Sequence, residues 1–227
     1  MHNHATHRHS HHRRQPKLLS LDRKFDPERY YSDDIGLDNV ESLMDEWVYL
    51  GCPFSPFCEL HRQFPAHDDC IVIAVDGACW NNGGPNASAA IGVFVGPGNK
   101  HNISRTVDFD VPTNQKAELT AGLNGLITAL NLRKESRNAD NRVSIVVIKS
   151  DSEYLVKAMT EWILKWKRNG YTNCKGRPVA NKSIFLAIEE EFCALEQRGV
   201  EVLFWHVPRE YNAEADELAS RALQNAA

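Results

Sequence analysis

Short apolar runs and longer amphipathic segments alternate from residue 70 to the end of the chain, and this pattern predicts an α/β fold. Apolar or alternating runs that stop at turn-forming residues are typical of β-strands. Five such runs are present, at residues 70–76, 88–96, 103–110, 143–151 and 200–207. Because short turns separate the first three runs, we expect those strands to form an antiparallel meander.

Apolar positions at helical spacing occupy most of the chain between and after these strands. They predict helices over residues 113–132, 152–167, 182–198 and 212–224, the first of them capped by Thr113 or Asn114. The order of elements is then βββαβααβα. It predicts a five-stranded mixed sheet, with its first three strands antiparallel, flanked by helices.

The first 67 residues lack this pattern, so we expect residues 1–67 to be a partly disordered extension and residues 68–227 to be the folded domain. Residues 1–20 hold six histidines; metal binding and a cloning remnant are both open explanations for them. Residues 21–67 are acidic with scattered aromatic side chains. Four side chains in and just after this segment could form a zinc set, but because they lack tight paired spacing we prefer ordinary packing: Cys52, Cys58, His61 and Cys70.

The charge of the chain is unevenly distributed, although its formal net value is only −4. Residues 26–46 carry eight acidic side chains and one arginine, so the rest of the chain is net positive. Residues 162–182 carry six basic side chains and no acidic one. A local basic patch of this kind is typical of a surface that meets a phosphate backbone.

Targeting signals give only a broad expectation of location. The sequence contains neither an apolar run long enough for a transmembrane helix nor the apolar stretch of a secretory signal. Its six cysteines include no CxxC pair, which favours reduced thiols. We therefore expect an intracellular monomer without membrane contact, in the nucleus, the cytoplasm or the mitochondrion.

Four carboxylates stand where an ordinary core has no use for them. Asp76 and Asp151 end the first and fourth predicted strands, Glu118 lies in the first turns of a helix, and Asp216 lies in the last helix. Singly they have ordinary explanations as a turn former, a helix cap, a partner of the helix dipole and a solvated side chain. If the two strands are neighbours, the carboxylates meet at one sheet edge. Such a cluster suits Mg²⁺ or Mn²⁺, and two ions can clamp a phosphodiester during hydrolysis.

Five segments around these carboxylates resemble the successive motifs of the type 1 ribonuclease H family. They are "IVIAVDGACWNNGG", "TNQKAEL", "VIKSDSEYLVKAM", "WILKWKRNGY" and "HVPREYNAEADELA", in order over about residues 70–224. The resemblance implies a ribonuclease H-like fold and an endonuclease that cuts the RNA strand of an RNA–DNA hybrid. It implies two Mg²⁺ ions, with Mn²⁺ as a possible substitute, held by four residues: Asp76, Glu118, Asp151 and Asp216.

The same resemblance assigns residues to each strand of the hybrid. It implies that three amides read the 2′-hydroxyls of the RNA strand: Asn82, Asn114 and Gln115. It implies that the DNA strand meets a basic protrusion and a phosphate pocket: Thr113, Trp162, Trp166, Lys167, Arg168 and Asn181. The ordinary alternatives are a turn residue for Asn82, a helix cap for Asn114 and core packing for the two tryptophans.

Two departures from the family pattern leave a second hypothesis open. Val111 stands where related members place an arginine of the phosphate pocket, and the segment before Asp216 is short and lacks the loop histidine of many members. His206 matches a different position, and we interpret it as structural. The alternative function is a nucleic-acid-binding module whose catalysis is weakened or lost.

Overall fold

The computed structural model describes residues 23–60, 62–135 and 143–226. The histidine-rich tail and His61 lie outside these residues. One sheet contains all the strands of the described chain: β1 (Glu41–Met44), β2 (Trp47–Gly51), β3 (Ala66–Trp80), β4 (Ser88–Phe94), β5 (Ile103–Val107), β6 (Ile145–Ser150) and β7 (Glu201–His206).

The mixed α/β sheet is confirmed, but five strands is too low a count. The five predicted strands correspond to β3–β7, and a hairpin of β1 and β2 adds two more. Both added strands are short and largely half-buried or exposed, so they differ from the longer buried runs that mark the central strands. Residues 41–51, within the predicted extension, are therefore part of the sheet.

The pairing of β3 decides where the candidate site lies. Its C-terminal half pairs antiparallel with β4, and its N-terminal half pairs with β2 on that same side. On its other side β3 pairs in parallel with β6, where Ala74 is opposite Lys149, and β6 pairs in parallel with β7. The expected neighbours are thus confirmed, and Asp76 and Asp151 both lie just beyond the end of the β3–β6 pairing. The prediction that Asp76 ends its strand is wrong, because β3 continues to Trp80 through its pairing with β4.

Helices cover both faces of this sheet. They are α1 (Asn114–Glu135), α2 (Glu153–Lys157), α3 (Ile163–Arg168), α4 (Lys182–Glu196) and α5 (Ala213–Gln224). A π-helical turn, Ala158–Trp162, joins α2 to α3, so the helix predicted over residues 152–167 has one irregular turn at its centre. Among the described helices, none combines the length and apolar composition needed to cross a membrane.

The sheet has an apolar core on each face. The larger core includes Ile73, Leu119 and Phe185 and lies beneath α1, α2 and α4. The smaller core joins Phe25 and Tyr31 of the extension to apolar residues of β3, β6 and β7 such as Trp205. Backbone hydrogen bonds of Arg23 and Phe25 with Phe204 also attach the extension to the edge of β7.

Candidate active site

Asp76 lies in the middle of the carboxylate cluster. It is 9% exposed, and burial raises the pKa of its carboxyl to about 7, with further contributions from the negative charges of Asp151 and Asp216. The next residue, Gly77, allows α1 to approach β3 closely. A Cβ at Gly77 would lie 2.1 Å from the backbone nitrogen of Glu118, so only glycine permits this contact.

Glu118 is oriented by two hydrogen bonds. Its carboxylate accepts from the Ser152 hydroxyl at 2.7 Å and from the Asn114 side-chain amide at 2.7 Å. Burial raises the pKa of Glu118, the hydrogen bond from Ser152 opposes that rise, and the charge of Asp151 adds to it. The negative charges of Glu118 in α1 and Asp151 after β6 therefore interact with each other.

Asp151 is held by Asn212, a fully buried residue just before α5. The Asn212 amide donates to Asp151 at 2.8 Å and to the backbone oxygen of Val75 at 3.1 Å. It thereby fixes the beginning of α5 to both strands that carry aspartates. Gly92 of β4 supports the same arrangement, because a Cβ there would lie 2.1 Å from the backbone oxygen of Ala215 in α5.

Asp216 forms an ion pair with Arg209, which precedes α5. The pKa of Arg209 is raised by Asp216 first, and by Asp151 and Asp76 to a smaller extent. One guanidinium thus lies within the field of three carboxylates. The three neighbouring glutamates, Glu210, Glu214 and Glu217, are all exposed.

The structure brings the four carboxylates to one place but not into one ligand shell. No three of these four side chains bring oxygen atoms within 4.8 Å of one another. Asp216 is turned toward Arg209, and Glu118 toward Ser152 and Asn114. Their oxygen donors are the type that hard divalent cations prefer.

The three amides assigned to the RNA strand lie beside this cluster. Asn82 accepts a hydrogen bond from the backbone nitrogen of Asn114 at 3.0 Å, so it caps the beginning of α1. Asn82, Asn114 and Gln115 are all exposed. Asn114 connects these amides to the carboxylate cluster, since its side chain also donates a hydrogen bond to Glu118.

The basic segment after α2 is only partly free to meet a ligand. Trp162 and Trp166 lie 5.7 Å apart between ring centroids, and Trp166 packs 4.9 Å from Phe185 of the larger core. Both tryptophans are half-buried. Lys167 and Arg168 are both exposed, but Lys167 contacts Glu189 of α4 at 2.7 Å.

The two residues assigned to the phosphate pocket lie at the beginnings of α1 and α4. The Thr113 hydroxyl accepts from the backbone nitrogen of Lys116 at 3.3 Å, and Asn181 precedes α4 in the left-handed backbone region. Val111 is 49% exposed. The Lys116 ammonium donates to the Val111 backbone oxygen at 2.6 Å, so a positive charge lies beside the position that lacks arginine.

His206 is exposed at the end of β7, opposite Ser150.

Three residues that orient predicted ligands were not identified from the sequence: Asn212, Arg209 and Ser152. The signal for Asn212 and Arg209 was their proximity to Asp216 along the chain, and for Ser152 its place directly after Asp151.

Comparison with known proteins agrees with this geometry. The RNase H family model matches residues 68–224. Ribonuclease H1 of Mus musculus is 33% identical over 153 residues, which are 66% of this chain and 48% of that protein. Ribonuclease H of Hyphomonas neptunium is 33% identical over 153 residues, 67% of this chain and 91% of that protein.

Among solved structures, the foamy viral protease-reverse transcriptase in complex with dsDNA has a similar fold. Its TM-score is 0.50 at 23% identity, covering 66% of this chain and 92% of that chain. The present chain spans about half the length of the mammalian relatives that it matches. The family match extends over more than half of the chain, and its fold and motif order agree. The chain therefore belongs to the type 1 ribonuclease H family.

Proposed function

We propose that this chain hydrolyses the RNA strand of RNA–DNA hybrids at the carboxylates Asp76, Glu118, Asp151 and Asp216, with two Mg²⁺ ions. The observation that carries the proposal is the meeting of these side chains where the β3–β6 pairing ends, around the buried Asp76. The pKa of about 7 for Asp76 reflects its burial first and the negative charges of Asp151 and Asp216 second. A cation beside it would stabilise the ionised form, so the donor set fits a divalent metal.

The chain's own residues have separable roles in this chemistry. When bound, the two ions supply a water nucleophile and stabilise the leaving oxygen. Asn212 fixes the direction of Asp151, and Ser152 fixes that of Glu118. Arg209 holds Asp216 at the open side of the cluster.

Selection of a hybrid would depend on the exposed amides beside Glu118. An amide can both donate to and accept from a 2′-hydroxyl, which only the RNA strand carries. Asn114 lies one hydrogen bond from Glu118. A hydroxyl bound at Asn114 would therefore place the adjoining phosphate next to the carboxylates. The DNA strand would be held by the residues of the phosphate pocket and the basic segment: Thr113, Asn181, Trp162, Trp166, Lys167 and Arg168.

The experiment is cleavage of a hybrid labelled on its RNA strand, with Mg²⁺ and then with EDTA. Duplex DNA and duplex RNA of the same sequence are the matched substrates. We expect Mg²⁺-dependent cuts within the RNA strand of the hybrid alone, and their loss in Asp76→Asn. Binding of the hybrid without cleavage would favour the non-catalytic module; at present no observation favours that alternative, because all four carboxylates are retained and clustered.

A further inference from the structure

A second group of metal-ligating side chains lies near the opposite end of β3 from Asp76. His67, Asp69 and Cys70 belong to the N-terminal part of the strand. One ligand atom from each lies within 4.8 Å of the other two. In the described part of the chain, no other set of histidine, cysteine and acidic side chains converges in this way.

The distances within this group match those of a metal's ligand shell. The Asp69 Oδ1 atom lies 3.4 Å from His67 Nδ1 and 3.4 Å from Cys70 Sγ. In a tetrahedral zinc site, ligand atoms about 2.0–2.3 Å from the metal are separated from each other by about 3.3–3.6 Å. Both separations from Asp69 match this spacing, and the His67 nitrogen and the Cys70 sulfur lie within 4.8 Å of each other.

Surrounding residues hold two of the three side chains in place. The Ser144 hydroxyl donates to Asp69 Oδ2 at 2.5 Å, which leaves Oδ1 directed toward His67 and Cys70. The His67 imidazole also contacts the thiol of Cys52. Outer contacts of this kind orient the ligands of metal sites.

We propose that His67, Asp69 and Cys70 bind one Zn²⁺ ion, with the fourth coordination position open to solvent. One nitrogen, one oxygen and one sulfur ligand suit zinc, whereas Mg²⁺ prefers oxygen alone. The His67 and Asp69 side chains are 41% and 33% exposed, so an ion can enter from solvent. On binding, the Cys70 thiol releases its proton to solvent and the thiolate becomes the ligand.

This ion would lie beside the contact between the extension and β3. Cys52 directly follows β2, and its backbone nitrogen donates to the oxygen of Pro65, just before β3. His67, its contact partner, lies at the beginning of β3. Because β3 and the Ser144 hydroxyl orient the ligands in the folded chain, zinc would bind the folded chain more tightly than the unfolded one and raise the stability of the fold.

Cobalt titration of the full chain tests the proposal, with excess Mg²⁺ present to occupy the carboxylate cluster. Co²⁺ bound by a thiolate absorbs in the near ultraviolet through sulfur-to-metal charge transfer. The histidine-rich tail contains no cysteine, so it cannot produce this band. We expect added Co²⁺ to produce the band and added Zn²⁺ to remove it.

Variants decide which residues hold the ion. Cys70→Ser and His67→Ala should abolish the band, and in His67→Ala added Zn²⁺ should no longer raise the midpoint of thermal unfolding. His67 is exposed enough that its removal leaves a folded chain, which circular dichroism would verify. Cys58→Ser is the matched control and should keep the band. The proposal is overturned if the parent shows no band, or if the band survives in His67→Ala or disappears in Cys58→Ser.

Discussion

The Arg209 guanidinium forms an ion pair with the Asp216 carboxylate, one of the four proposed metal ligands. Arg209 also lies in the field of Asp76 and Asp151. Its positive charge therefore competes with a divalent cation for the same carboxylates. Arg209 therefore affects the Mg²⁺ concentration at which the site is filled.

Replacement of Arg209 by alanine should lower the Mg²⁺ concentration needed for half-maximal cleavage. The Arg209 side chain is 75% exposed, so the contribution of the pair is about 1 kcal/mol or less and the expected shift is a few-fold. Arg221→Ala, at an exposed position in the last turns of α5, is the matched control and should leave the Mg²⁺ titration unchanged. A higher Mg²⁺ requirement in Arg209→Ala would show that the arginine assists the metal instead of opposing it.

Asp216→Asn should lower the rate of hydrolysis by orders of magnitude while the fold survives. The substitution preserves shape but removes a negative charge that helps to hold an ion, and Mn²⁺ should restore part of the rate. Glu217→Gln, at the next position and exposed, should cleave within a few-fold of the parent. Equal rates for Asp216→Asn and the parent at saturating Mg²⁺ would remove Asp216 from the ligand set.

Asn212→Ala should lower both stability and activity. The change leaves the Val75 backbone oxygen without its amide partner in a buried place, which costs about 1–3 kcal/mol. It also frees Asp151 to reorient. Urea unfolding and hybrid cleavage would measure the two effects, with Asn225→Ala at the exposed end of α5 as the control. An unchanged unfolding midpoint would contradict the bridging role of Asn212.

The parts of this site that the sequence predicts are those with local signals. Asp76 and Asp151 each follow an apolar run, and such runs define strands whatever lies elsewhere in the chain. Asn212 lies close to Asp216 along the chain, but its bonds to Val75 and Asp151 span 137 and 61 positions, so no local pattern predicts them. The hairpin of β1 and β2 was missed for a related reason: its strands have four and five residues and are stabilised by β3, which lies farther along the chain.

The basic segment is expected to divide into residues that bind nucleic acid and residues that hold the fold. Lys165 and Arg168 are exposed, whereas Lys167 contacts Glu189. Replacing Lys165 and Arg168 together by alanine should weaken hybrid binding and reduce the slope of log affinity against log salt, by roughly 0.7–0.9 for each lost phosphate contact. Mg²⁺ affinity should stay constant. A salt slope equal to the parent's would mean that another surface meets the hybrid.

The Glu189 carboxylate gives the extension a pH-dependent attachment to α4. Burial alone would raise the pKa of Glu189, but hydrogen bonds from Arg23 and Lys167 outweigh it and lower the pKa. The Arg23 guanidinium also lies 3.6 Å from the centre of the Phe192 ring. A carboxyl whose pKa is lowered by folding stabilises the folded state above its unfolded pKa. That contribution is lost as pH falls through the folded pKa.

Arg23→Ala should therefore destabilise the chain more at about pH 7 than at about pH 4, where the unfolded carboxyl begins to protonate. At the higher pH the variant buries a carboxylate that has lost one of its two cationic partners, at a cost of about 3–5 kcal/mol. At the lower pH a neutral Glu189 tolerates the loss. Lys24→Ala is the matched control, since the Lys24 contact with Asp26 is exposed and worth about 1 kcal/mol or less. Urea unfolding of both variants at the two pH values measures the difference in stability. An equal loss of stability in Arg23→Ala at both pH values would show that the extension is held by apolar packing alone.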